Sequence, residues 1–95
     1  MTLRFHPAAQ DEFIESTLYY EAARPGLGQQ FRDAVRVGLD RIVVHPEIGA
    51  TRRGARTLLV DGFPYDIVYR VADSDLEVLA LAHHRRRPGY WRRRV

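Results

Sequence analysis

His83 and His84 are followed directly by Arg85, Arg86 and Arg87, and shortly after by Tyr90 and Trp91. A histidine titrates near neutrality and can take or give a proton. Adjacent guanidinium groups would stabilise the charge that develops on a phosphodiester under attack. The plainer alternative is a pair of strand-end histidines hydrogen-bonded to backbone or solvent. Residues 83–95 hold six arginines, two histidines, two aromatics and no acid. Because the run is acid-free, a binding role for some of its arginines is favoured over a merely solvated tail. Arginine forks pair with phosphates or carboxylates, so the partner would be an anionic macromolecule or an acidic protein surface. Tyr90 and Trp91 could stack on bases; Trp91 could instead fold back on the sheet as a plug. Arg52, Arg53 and Arg56 could extend this basic surface. Arg70 is expected to pair with Asp66, its same-face neighbour four residues away.

The surrounding composition fits a small soluble domain. The chain has 95 residues, 45% hydrophobic and 28% charged, enough for one domain with one modest core. With no cysteine, there is no disulfide framework and no thiolate metal site. No apolar run approaches the ~20 residues that span a bilayer, and the N-terminus lacks a signal-peptide pattern; a cytoplasmic protein is expected. Net charge is +3 and uneven: residues 1–50 carry five Arg against seven acids, residues 51–95 ten Arg against five. All fifteen basic residues are Arg, which GC-rich coding would explain; their placement says more, since a basic second half suits an acidic partner.

Periodicity supplies the elements that must hold these residues. Residues 2–6 alternate as a short strand, and Pro7 suits the first turn of a helix. A helix over about 7–23 follows, with Ala9, Phe13, Thr17 and Tyr20 on one face, widened by Ile14 and Leu18, and with Asp11, Glu12 and Glu15 near its positive end. Arg24-Pro25-Gly26-Leu27-Gly28 breaks it. A second helix over about 28–44 carries Phe31, Ala34, Val35, Gly38, Leu39 and Ile42 on one face; Gly38 would allow close approach of the two helices. Strands are predicted at 56–60, 65–71 and 76–82, separated by turns at 61–64 and 72–75. On 65–71, Tyr65, Ile67, Tyr69 and Val71 share one face, and Asp66, Val68 and Arg70 the other. The run 76–82 is nearly all apolar, as in a strand covered on both sides. The fold class is therefore α+β, in the order β-α-α-β-β-β. The helical hairpin packs on one face of a small, mostly antiparallel sheet, and the other face is left shallow. There is no Gly-rich phosphate loop, no His-Glu-x-x-His motif and no serine elbow, so no metal or other cofactor is expected.

Taken together, these blocks resemble the ParE/RelE superfamily of toxins from bacterial type II toxin–antitoxin modules, over essentially the whole chain. The resemblance rests on Pro7-Ala8-Ala9-x-Asp11, Phe31, His45-Pro46-Glu47-x-Gly49 and Arg52-Arg53-Gly54-x-Arg56. It rests most specifically on Phe63-Pro64-Tyr65-x-Ile67-Val68-Tyr69-Arg70-Val71 and on Val78 to Ala82 followed by His83-His84-Arg85-Arg86-x-Pro88-x-Tyr90-Trp91. It implies a growth-arresting toxin, plasmid or genomic-module maintenance, and a hetero-oligomer with a cognate, acidic-armed antitoxin. Arg52, Arg53, Arg56 and Arg70 would then serve the antitoxin or a phosphate.

The superfamily implies two activities. RelE-like members cut mRNA on the ribosome with basic strand residues, an Arg after the last strand and a C-terminal Tyr. The matching positions here are Thr57, Leu59, Asp66 and His84, with only Tyr90 in agreement. Some relatives cut with histidines and an acid, and His83, His84, Asp66 and Tyr90 would compose such a set. ParE-like members, closer at the His-x-Arg-Arg segment, poison DNA gyrase and are not enzymes; Arg85, Arg86, Arg87, Tyr90 and Trp91 would form the target-binding surface. The ParE-like reading is preferred, with mRNA cleavage and an inactive, antitoxin-binding homologue as the alternatives.

Overall fold

A computed structural model describes residues 2–95. The chain runs β1 (Thr2–Phe5), α1 (Pro7–Ala23), α2 (Leu27–Val44), β2 (Ala50–Arg52), β3 (Ala55–Leu59), β4 (Tyr65–Ala72) and β5 (Asp75–His83), ending in a 3-10 turn at Arg92–Arg94. The five strands form one sheet in the order β1-β5-β4-β3-β2. β1 runs parallel to β5 and every other pairing is antiparallel. The expected helical hairpin and mostly antiparallel sheet are present. The strand not anticipated is β2: three exposed residues with no apolar alternation, folded onto β3 through Arg53-Gly54. Both loop residues have positive φ, +53° and +86°, the backbone of a tight two-residue hairpin matched to strand twist.

α1 begins at Pro7, and the His6 Nδ1 accepts a hydrogen bond from Ala8 N–H at 3.1 Å, so His6 caps the helix rather than extending β1. Its inward row is Ala9, Phe13, Ser16 and Tyr20. Ile14 and Leu18, expected to widen that row, are 50% and 63% exposed, because each follows an inward residue or its neighbour by about 100° of rotation. On α2, Phe31, Val35, Gly38 and Ile42 are buried as the periodicity requires. Gly38 faces the sheet rather than α1: a Cβ there would lie 2.8 Å from Ile67 Cδ1. Gly28 is the residue that brings the helices together, since its Cβ would meet Thr17 O at 2.8 Å. The Glu21 carboxylate accepts from Gly26 and Gly28 N–H and so caps the start of α2.

Two cores result, one on each sheet face. Tyr65, Ile67, Tyr69, Leu76, Val78 and Leu81 pack against Ala9, Phe31, Val35 and Ile42 beneath the helices. Val71, predicted on the same row, is 46% exposed. The register of β4 against β5 shifts between Val68 and Tyr69, which pair with Ala80 and Val78. Leu79 is the extra residue of this bulge, so Leu79 and Ala80 turn to the same side. There they join Val68, Ala55 and Trp91 in the second core. The second face is therefore partly roofed by the returning C-terminal segment, not left fully open.

The 45–49 turn that joins α2 to β2 is fixed from below. The buried Tyr69 hydroxyl donates to Pro46 O at 2.7 Å and accepts from Gly49 N–H at 2.9 Å. The Arg56 guanidinium donates to Gly49 O at 2.9 Å and Glu47 O at 3.2 Å. A Cβ on Gly49 would lie 2.8 Å from that hydroxyl, which explains a glycine there.

Candidate functional site

After β5 the chain turns back in a hook. His84 N–H donates to Pro64 O, Arg86 N–H to His83 O, Tyr90 N–H to Arg87 O and Arg92 N–H to Gly89 O. The indole of Trp91 is 3% exposed and closes the second core. Of its two placements considered from sequence, the structure has the plug; a ring so buried cannot stack on a partner, contrary to its expected place in a target surface.

A second fastening reaches back to α1. Glu12 Oε1 accepts from Arg94 Nη1 at 3.0 Å and Leu81 N–H at 3.1 Å, while Oε2 accepts from Arg94 Nη2 at 3.0 Å and the Tyr90 hydroxyl at 2.9 Å. Arg94 Nη1 also donates to Leu79 O at 2.9 Å. Arg86 lies over the Tyr90 ring at 3.9 Å. Partial burial raises the Tyr90 pKa well above its ordinary 10.0, with the Glu12 charge and hydrogen bond adding, against smaller opposing effects of Arg86 and Arg94. Glu12 was read from sequence only as one of several acids near a helix start. Nothing in its spacing announces a partner eighty-two residues away.

The hook and the sheet bound a cleft of about 250 Å³, lined by Arg52, Asp66, His84, Arg86, Arg87 and Tyr90 among others. Asp66 Oδ1 and His84 Nε2 are 3.0 Å apart, paired across β4 and the end of β5. The carboxylate orients the ring and leaves Nδ1 without a partner among the described residues. An imidazole held in this way can in chemical terms take or give a proton. Thr57 lines the cleft too, so three of the four positions matched to RelE-like strand and post-strand residues converge there; Leu59 is outside it. His83 does not join the pair. As the preceding strand residue it turns to the opposite face, stacks edge-on to Tyr65 at 4.9 Å and accepts from Arg85 N–H at Nδ1, 3.0 Å. Partial burial, then the Arg85 and His84 charges, lower its pKa. The Tyr90 hydroxyl is held by Glu12. Of His83, His84, Asp66 and Tyr90, therefore, only Asp66 and His84 are brought into contact with one another.

The arginines divide. Arg85, Arg86 and Arg87 are exposed on the hook, and Arg52 and Arg53 on the β2–β3 hairpin. Arg56, expected in anion binding, donates through Nη1 to the 45–49 turn carbonyls. Arg70, expected beside Asp66, instead pairs with Glu77 through Nε and Nη2, both at 3.0 Å from Oε1. Asp66 is taken by His84, and Glu77 stands directly across the ladder from Arg70. Among the described residues no group of three His, Asp or Glu side chains is arranged to hold a metal ion, and no helix is long and apolar enough to cross a membrane.

A helical hairpin on a five-strand mixed sheet, closed by an anchored basic hook, defines the architecture. A family model for the ParE toxin of the type II toxin–antitoxin system, parDE, matches residues 3–88. The chain belongs to the ParE toxin family. Among solved structures it is similar to a chain of the chromosomal ParDE toxin–antitoxin system from P. aeruginosa, with a TM-score of 0.75 and 18% identity, over 87% of this chain and 95% of that one. A comparison with curated proteins returns no match.

Proposed function

We propose that this toxin acts inside the cell on DNA gyrase through its C-terminal hook, and that a cognate antitoxin silences it in a hetero-oligomer. The observation that carries the reading is the double fastening of the hook. Trp91 plugs one sheet face while Glu12 grips Tyr90 and Arg94. Arg85, Arg86 and Arg87 are thereby held out as a pre-organised basic row, which suits recognition by contact. The similarity to a ParDE structure supports an antitoxin partner, and the exposed Ile14, Leu18 and Tyr19 of α1 offer apolar surface for its capture.

Supercoiling by purified gyrase, with and without the refolded toxin, tests this. The expected result is inhibition with accumulation of cleaved DNA. Unaffected supercoiling by a folded sample that arrests growth would overturn it. The Asp66–His84 pair supports a second reading, mRNA cleavage, which transcript mapping after induction would detect. A folded chain that binds antitoxin yet never arrests growth would be the inactive homologue.

A further inference from the structure

Five arginines from three separate segments meet at one end of the molecule. Arg52 and Arg53 come from the β2–β3 hairpin, Arg86 and Arg87 from the turn after β5, and Arg92 from the 3-10 turn. Arg52, Arg86 and Arg87 line one cleft. Arg53 and Arg92 converge on Gly89. A Cβ at that glycine would sit 3.0 Å from Arg53 Cδ and 2.9 Å from Arg92 Cδ, so the two stems run side by side over a bare backbone. Elsewhere Arg4, Arg36, Arg70 and Arg94 each have a carboxylate partner. None of the five has one among the described residues, and the carboxylate that lines the cleft, Asp66, is held by His84. Like charges gathered without a counter-charge repel one another, and a bound polyanion would relieve that repulsion.

Two polyanions fit in principle, a nucleic acid and an acidic protein. A protein interface is built around an apolar or aromatic centre. The cleft exposes no such anchor: of its two aromatic residues, Trp91 is turned inward and Tyr90 is half-buried, held by Glu12 and covered by Arg86, and no exposed large apolar residue lines it. Ile14, Leu18, Tyr19, Val37, Val43 and Val44 are exposed on the helices instead. Phosphate contacts need only donors held at fixed spacing, and the hairpin and the anchored hook hold them. We infer that this end of the toxin is a nucleic-acid interface: Arg52, Arg53, Arg86, Arg87 and Arg92 grip the phosphodiester backbone directly, with no need of a protein target. The inference rests on reading the hook as the target-facing surface, and it gives that surface a substrate of its own.

The test is anisotropy of a labelled 20-base-pair DNA duplex, a 20-nucleotide RNA and a ten-residue oligoglutamate, each titrated with the refolded full chain and no gyrase. Duplex binding is expected in the micromolar range at 50 mM salt, weakening ~100-fold by 200 mM, as about four phosphate contacts would give. The variant R53Q/R92Q is expected to lose at least about tenfold in affinity and to flatten the salt slope by about 2. R4Q/R36Q removes the same charge elsewhere and is expected to leave the slope unchanged. Tighter binding of the RNA than of the duplex would support the same phosphate chemistry and identify single strands as its source. Absence of nucleic-acid binding by folded protein would overturn the inference, as would equal effects of the two double variants. So would capture of oligoglutamate, sensitive to R53Q/R92Q, without capture of either nucleic acid. Because gyrase is absent, failure here with intact gyrase inhibition would return the arginines to a protein target and leave the gyrase reading standing.

Discussion

Glu12 and Arg94 form a two-pronged ion pair, Oε1 to Nη1 and Oε2 to Nη2, both at 3.0 Å, with side chains 14% and 17% exposed. It ties the first helix to the hook. Removing one partner leaves a largely buried charge uncompensated, which is costlier than the pair is worth intact. Glu12→Ala is therefore expected to lower unfolding free energy by about 3 kcal/mol in urea denaturation. Gyrase inhibition should fall with it even at temperatures where the variant remains folded, because Arg85 to Arg87 lose their fixed bearing. Tyr90→Phe removes one bond to the same carboxylate and should cost only about 1–2 kcal/mol. Equal losses for the two would contradict the assigned roles.

Trp91→Ala should cost about 3–5 kcal/mol, as expected of emptying a core, and should reduce toxicity by unseating the hook. Trp91→Phe should recover most of the activity in a growth assay, which a residue that contacts the target by stacking through its indole would not allow.

His83 supplies a pH signature. Its folded pKa lies below the ordinary 6.5, so below that pH the unfolded chain binds more protons than the folded one. Stability should thus be unaffected by this residue above pH 7 and fall as pH drops from 6.5 toward the folded value. Urea midpoints between pH 7.5 and 5 should show this decline in the native chain and a shallower one in His83→Gln. Tyr90 acts at the other extreme. Its folded pKa is raised, so its contribution is full below pH 10 and is lost as pH climbs toward the folded value.

Replacing His84 separates the two target readings. Under the gyrase reading, His84→Ala should change supercoiling inhibition less than threefold, whereas R85Q/R86Q/R87Q should weaken it at least tenfold. Under RNA cleavage, His84→Ala and Asp66→Asn should each lower cleavage by about 10²–10⁴, the usual range for a lost acid–base group.

Gly49→Ala would drive a methyl to 2.8 Å from the Tyr69 hydroxyl and 2.9 Å from Thr57 O. A loss of about 1–3 kcal/mol is expected, visible as a lowered melting temperature. Tyr69→Phe removes only the hydroxyl contact, leaving the ring Cε1 and Thr57 O each at 2.9 Å, and it strands Gly49 N–H and Pro46 O, so it should not rescue the double variant to native stability.

Elements governed by local periodicity were legible in the sequence. The α2 face at Phe31, Val35 and Ile42, the turn glycines and the apolar run of β5 are all written at spacings of one to four residues. What was not legible depends on partners far apart in the chain. β2 has no alternation and exists because β3 offers an edge. Arg70 chose Glu77 over Asp66 because strand register, not sequence proximity, sets cross-strand neighbours. The bulge at Leu79 reassigns faces without any glycine to mark it. In the site, the basic character of residues 83–95 was plain, but not which arginines are free. Arg56 and Arg94 proved to have partners within the fold, and the inward turn of Trp91 follows from a second core to which the bulge adds Leu79 beside Ala80.

The parallel pairing of β1 with β5, Thr2 beside Asp75 through Phe5 beside Val78, has a temporal meaning. The first strand to leave the ribosome has no sheet neighbour until residues 75–78 emerge, and α1 cannot close its grip on the hook until Arg94 follows. Long-range closures of this kind are paid late in folding. In a growing chain the exposed helical hairpin is therefore complete before the basic hook can be set. If the antitoxin docks on the hairpin as proposed, its face is ready before the hook exists.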